Sequence, residues 1–273
     1  MTEATLQELF GRARQALKAN DFAAAFECFR RAAEQGDPDA QFALACMYDD
    51  GQGVEQDHAK AAEWYLKAAE QGNPVAQGLL GDMYYGGWGV EQDDVQAAAW
   101  FRKAAEQGNK DAQYKLGSMY CEGEGVPEDK VQAVVWFRQA AEAGHVDAQN
   151  NLGVMYENGW GVARSSEKAA EWYLKAAGQG HMGAQFNLGL LYAEGQGDYS
   201  KAAKWYRKSA EQGYSAAQYN LGLMYMNGHG VKRDKEKAEM WLRKAADQGD
   251  VDAMRALWHI RSKRRDKGRR KGS

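Results

Sequence analysis

Proline is nearly absent, three in 273 residues against thirty-one glycines, so long helices can run unbroken and glycine supplies the turns. Cysteine is equally scarce. Cys28, Cys46 and Cys121 are odd in number and do not recur at one repeat position, which argues against a disulfide framework and for a reducing compartment. No stretch approaches the roughly 20 apolar residues of a membrane span, and MTEATLQELFGRARQALKAN is amphipathic and charged, unsuited to export. A cytoplasmic location is therefore expected, with a periplasmic or secreted one requiring a removed signal. Histidine is sparse too: His58, His145, His181, His229 and His259 are scattered, and no HExxH or Cys/His metal spacing occurs. His145 and His181 share a repeat position 36 residues apart, but two ligands are too few for a metal site. No catalytic residue, metal ligand or cofactor is expected.

What the chain does have is repetition. The stretch Asp37–Gly72, DPDAQFALACMYDDGQGVEQDHAKAAEWYLKAAEQG, recurs down almost the whole sequence. Six units are read as 37–72, 73–108, 109–144, 145–180, 181–213 and 214–249, and five of them are 36 residues long. The fifth is three residues shorter, the deletion falling in the loop at Gly195-Gln196-Gly197, where it is expected to spare the helices. Before the units, 1–36 reads as a helical hairpin with its break at Asn20-Asp21. After them, 250–260 reads as one further helix closing the stack with a polar side, and 261–273 as a basic tail too charged to fold.

Each unit reads as helix A, loop, helix B. In the first, Pro38 opens helix A, Gly51 and Gly53 supply positive-φ turns, Asp57 caps helix B, and Gly72 stops it. Alanine at 61, 62, 68 and 69 permits close helix approach. The pattern AQxxLGxMYxxGxGVxxDxxKAAxWYxKAAEQG resembles the Sel1-like repeat, a relative of the tetratricopeptide repeat with a longer inter-helix loop. The first hairpin is similar to an ordinary tetratricopeptide unit. The resemblance implies an all-α fold, a right-handed α/α superhelix (solenoid) of antiparallel helix pairs, whose helices A line a concave surface that binds proteins or peptides.

Comparing the six units with one another separates constant from variable positions. Leu44, Leu80, Leu116, Leu152, Leu188 and Leu221 are identical, as are a tyrosine four residues on (Tyr48 in the first unit) and a helix B tryptophan (Trp64). These are read as core. Variable positions of helix A at spacings of three, four and three share one face. By similarity to tetratricopeptide repeats that face is concave. Its first half is acidic, through Asp39, Asp49, Asp50, Asp82, Asp111 and Glu122, with Phe42, Cys46, Tyr85 and Tyr114 among them. Its second half carries Asn150, Phe186, Leu190, Tyr219, Leu223 and Met226. A complementary ligand is a peptide or protein segment with basic residues at one end and hydrophobic anchors at the other.

Rival chemistries find little support. Ser165-Ser166-Glu167-Lys168 has S-x-x-K spacing, but Lys168 occupies the repeat position of Lys60 and Lys201, and no SDN or KTG partner exists. A cysteine-rich branch of the family is similar to proteins described as β-lactamases. It staples each repeat with a cysteine pair, and this chain has none, so a hydrolase is the weaker alternative. GxG turns at Gly87-Trp88-Gly89 and Gly159-Trp160-Gly161 lack the preceding strand and following lysine of a phosphate loop. Trp88 and Trp160 are expected to pack over the adjacent loop. The tail carries eight of the 35 basic residues and could bind nucleic acid or an anionic surface by charge, but the remaining array is acidic, a net of about −10, and opposes a long polyanion. The leading expectation is a non-enzymatic scaffold or adaptor.

Overall fold

The computed structural model describes residues 3–195 and 197–269. Among them it is helical throughout, with fifteen α-helices, no strand, and consecutive helices packed in pairs. The chain divides into two compact halves, Met1–His145 and Val146–Ser273. In the N-terminal half α1 (Glu3–Lys18) and α2 (Phe22–Ala33) form the first hairpin. Three pairs follow: α3 (Pro38–Asp50) with α4 (His58–Glu70), α5 (Pro74–Gly86) with α6 (Asp94–Glu106), and α7 (Lys110–Glu122) with α8 (Lys130–Glu142). The C-terminal half pairs α9 (Val146–Asn158) with α10 (Ser166–Gly178), α11 (Met182–Leu190) with α12 (Tyr199–Glu211), and α13 (Ser215–Asn227) with α14 (Lys235–Asp247), and ends in α15 (Val251–Arg269).

The caps follow from the sequence. The Asp37 carboxylate accepts the Ala40 N–H at 2.8 Å with Pro38 in the first turn, and the Asp57 carboxylate accepts the Lys60 N–H at 3.0 Å. Gly51 ends α3 in the left-handed conformation, φ 69°. The second loop glycine has a further reason to be glycine: a Cβ on Gly53 would stand 2.2 Å from the Phe22 carbonyl oxygen. Gly89, Gly125 and Gly230 make the same close approach, so their loops, like that of Gly53, seat on the first turn of the helix B before them.

The core alternates leucine and alanine. Leu44, Leu80, Leu116, Leu152, Leu188 and Leu221 are buried, as expected. The invariant tryptophans behave differently. Trp100 and Trp241 are buried, but Trp64, Trp136, Trp172 and Trp205 are half-buried. Five of the six carry a lysine three residues on, stacked over the indole at 3.6 to 4.6 Å (Lys67 over Trp64, Lys103 over Trp100). The deepest aromatic of helix B is the next residue: Tyr65, Phe101, Phe137, Tyr173 and Tyr206, with Leu242 in α14. It lies over a small residue of helix A, so that a Cβ on Gly153 would meet the Tyr173 ring at 2.5 Å.

A glutamine ladder runs beside this core. Gln41, Gln77, Gln113, Gln149, Gln185 and Gln218 are buried. The Gln77 amide donates to the Ala69 carbonyl at 3.0 Å, and its oxygen accepts from Gln107, which follows α6, at 2.7 Å. Gln71 and Gln41, Gln212 and Gln185, and Gln248 and Gln218 repeat the pairing at 2.7 to 2.8 Å. Repeat 109–144 breaks it, because Ala143 stands where the others have glutamine. The Gln113 side-chain oxygen is consequently the one buried side-chain polar atom among the described residues without a partner. Ala143 has nearly the backbone conformation of Gln71 and Gln107 (φ −76° against −84° and −88°). Ala143→Gln is therefore expected to stabilise the protein by about 1 kcal/mol, read as a higher denaturant midpoint.

Two expectations need correction. The three-residue deletion reaches into helix A: α11 is regular only through Leu190, and Leu191–Gly195 forms a π-turn. A shorter loop leaves less chain to reach α12, and the last turn of helix A widens to supply it. The final helix does not stop at 260 but runs to Arg269, so 261–269, read as unfolded, has a helical backbone; 270–273 lie outside the described residues.

Candidate functional site

All fifteen candidate residues of the expected groove lie on helices A, nine in the N-terminal half and six in the C-terminal half. In the N-terminal half the six carboxylates fall into two classes. Asp49 accepts from His58 Nδ1 at 2.7 Å, Asp82 is bridged by Lys115, and Asp111 faces His145 Nε2 at 3.5 Å. Asp39, Asp50 and Glu122 are exposed and form no ion pair among the described residues. Counted by half, acidity is lopsided: residues 1–145 hold 24 acidic and 13 basic residues, a net of −11.

Between these helices is a cavity of about 330 Å³, lined by Asp49, Asp50, Asp82, His58, Gln56 and Trp88, with Tyr65, Leu79 and Met83 as apolar lining. Trp88 was expected to pack on a neighbouring loop. Its indole covers the backbone of Gly86, where a Cβ would stand 2.7 Å from it, yet the side chain remains 60% exposed at the cavity. Tyr85 is exposed and donates to the Glu124 carboxylate at 2.9 Å, which raises the phenol's pKa by disfavouring a second anion. Phe42 packs against Tyr65, and Tyr114 stacks on His145 at 4.4 Å.

The C-terminal half presents its candidates less openly. Asn150 accepts from Asn187 at 3.1 Å. Phe186 lies against Tyr206 and Tyr214, with ring centroids 5.7 and 5.1 Å apart. Leu190 and Met226 join the same cluster, while Tyr219 and Leu223 pack against Leu242, Ala253 and Leu257. All five are half-buried between repeats, so alanine there removes packing as well as any contact surface.

The groups of the rival chemistries have structural duties. Ser165 Oγ caps α10, accepting the Lys168 N–H at 3.3 Å, and Lys168 lies over the Tyr156 ring at 5.4 Å. His181 Nδ1 accepts the Ala184 N–H at 2.9 Å, and its Nε2 faces Asp147 at 3.1 Å. None of the three cysteines forms a disulfide. Burial pushes the Cys46 and Cys121 thiols up, away from the thiolate a nucleophile needs.

The sequence profile described as Sel1 repeat matches residues 9–37, 38–73, 74–109, 110–145, 146–181, 183–214 and 215–250. The chain belongs to the Sel1 repeat family. The profile includes the first hairpin, read from sequence as an ordinary tetratricopeptide unit, as a shortened Sel1 repeat. Among solved structures, a protective antigen of uropathogenic Escherichia coli with an SLR fold is 40% identical, with a TM-score of 0.84 over 87% of this chain. This chain spans about half, 52%, of that antigen. A Sel1 repeat protein from Oxalobacter formigenes is 35% identical over 85% of this chain and 94% of its own, TM-score 0.72. A comparison with curated proteins finds no match. Sel1 repeat proteins are commonly protein-interaction scaffolds and typically not enzymes. No described helix is long and apolar enough to cross a membrane.

Proposed function

We propose that this chain is a non-enzymatic scaffold that receives a basic, apolar-anchored peptide segment on the helix A surface of its N-terminal half. The observation that carries this reading is the cavity beside α3 and α5, where Asp50 is unpaired, Trp88 is largely exposed and the lining includes Tyr65, Leu79 and Met83. Carboxylates set the sign of the ligand, an indole face favours a cation, and the apolar lining rewards an aliphatic stem or neighbouring anchor. A net of −11 over the same half adds long-range attraction for a basic segment and repels nucleic acid. The cysteines, all outside disulfides, fit a reducing, cytoplasmic setting.

The test is a fluorescence anisotropy titration with a labelled amphipathic lysine–leucine peptide and a glutamate–leucine control. The basic peptide is expected to bind and the acidic one not, with affinity falling as salt rises. Asp50→Lys with Glu122→Lys, both exposed, is expected to weaken binding by about tenfold or more without altering helicity. Unchanged affinity in the double variant would sink the reading.

A further inference from the structure

α15 is an A helix with no B helix after it among the described residues, and two positions that hold through the array switch there. Met254 replaces the buried glutamine (Gln218 in α13), and Trp258 replaces the small residue on which the helix B core side chain packs (Gly222 in α13). A Cβ on Gly222 would already stand 2.7 Å from Leu242, so an indole at the matching position bars any further B helix in register. A solvated end cap would be polar. Here Val251, Met254 and Trp258, spaced three and four residues apart on one face, are 57%, 46% and 65% exposed. The positions of Met254 and Trp258 are buried in all six repeats before α15; here they are apolar and, among the described residues, uncovered.

We propose that its occupant is the acidic helix A surface of the N-terminal half of a second copy, so that the protein self-associates head to tail. The proposal rests on the peptide-binding reading above: α15 carries apolar anchors followed by bases, which is the ligand that surface calls for. Charge complementarity selects this occupant over two α15 helices pairing with each other. The C-terminal half holds 22 basic and 14 acidic residues, a net of +8 against −11, and residues 261–273 alone hold eight bases and one acid. Two α15 segments would repel; α15 and the acidic half attract. Because the two surfaces differ, the contact leaves one free at each end and is not confined to pairs.

The experiment is sedimentation velocity of the full chain over roughly a hundredfold range of concentration, at low and at half-molar salt. The weight-average mass is expected to climb past that of a dimer at low salt and to return to the monomer at high salt. Trp258→Glu, Met254→Gln (which restores the array's own residue) and Asp50→Lys with Glu122→Lys should each weaken association by about tenfold or more. Circular dichroism checks that each variant is folded. Mixing Trp258→Glu with the double-lysine variant leaves one intact contact and should stop at pairs. A chain that stays monomeric at low salt overturns the proposal, as does association indifferent to Trp258→Glu or to the double-lysine change. Monomeric behaviour with intact lysine–leucine peptide binding fails this inference alone; loss of peptide binding fails the reading beneath it.

Discussion

Gly125→Ala is expected to lower stability by about 3 kcal/mol or more, one of the largest single effects available outside the core. Two costs combine at this position. The backbone is left-handed, φ +64°, and a Cβ would stand 2.0 Å from the Asp94 carbonyl oxygen and 2.3 Å from its carbon. Neither atom can move without unseating the loop from the first turn of α6. Gly89 on His58 and Gly230 on Tyr199 have the same close approach, at 2.2 and 2.0 Å. The comparison that isolates the contact is Gly108→Ala. Gly108 is also left-handed, φ +85°, but nothing lies within 4 Å of its Cβ direction, so only the conformational cost of about 1–2 kcal/mol applies. Urea unfolding of the two variants should separate their midpoints clearly, and equal midpoints would show that loop seating contributes little. Gly197, in the shortened loop, has φ +65° and open space, and its alanine variant should resemble the Gly108 one.

The helix-pair grammar was legible because it rests on features a repeat cannot vary. Closing glycines, cap aspartates and the leucine series all have the roles expected of them. Invariance misled for both aromatic series, since Tyr48, Tyr84, Tyr120 and Tyr192, read as core, are half-buried. Trp64 and its equivalents are identical yet mostly half-buried, because their constancy serves lysine stacking as well as packing. The fully enclosed neighbour, Tyr65 or Phe101, needs only bulk and so changes identity between repeats. The glutamine ladder was equally invariant and could have been found by the same comparison. Its meaning was not readable, since Gln77 is bound by Gln107, 30 residues away, and a lone glutamine looks like a solvated residue. The acidic character of the candidate site was visible residue by residue. That Asp49, Asp82 and Asp111 are already bridged, leaving Asp39, Asp50 and Glu122 unpaired, depends on His58, Lys115 and His145 arriving from elsewhere in the chain. The apolar end of α15 was missed because a terminal repeat is expected to be polar.

The ladder supplies the second large effect. Gln77→Met, a change close in shape and the residue α15 itself carries at that position, removes the bond to the Ala69 carbonyl and the bond from Gln107. The loss should be about 2 kcal/mol, one unit for each bond. The same change at Gln113 removes the bond to Ala105, at 3.0 Å, and a long one to the Gln139 side chain, at 3.4 Å, and with them the oxygen that has no partner. Deleting an unsatisfied buried acceptor offsets the lost bonds, so Gln113→Met should be near neutral. Two chemically identical substitutions at equivalent positions are thus expected to differ severalfold, and the cause is Ala143. The pairing predicts a coupling as well. Ala143→Gln should stabilise the wild-type chain and have no effect in the Gln113→Met background, because its new donor then has nothing to meet. Denaturant midpoints of the four members of this cycle decide the matter: equal costs at Gln77 and Gln113, or a gain from Ala143→Gln that survives without Gln113, would rule out the ladder as the source of the difference.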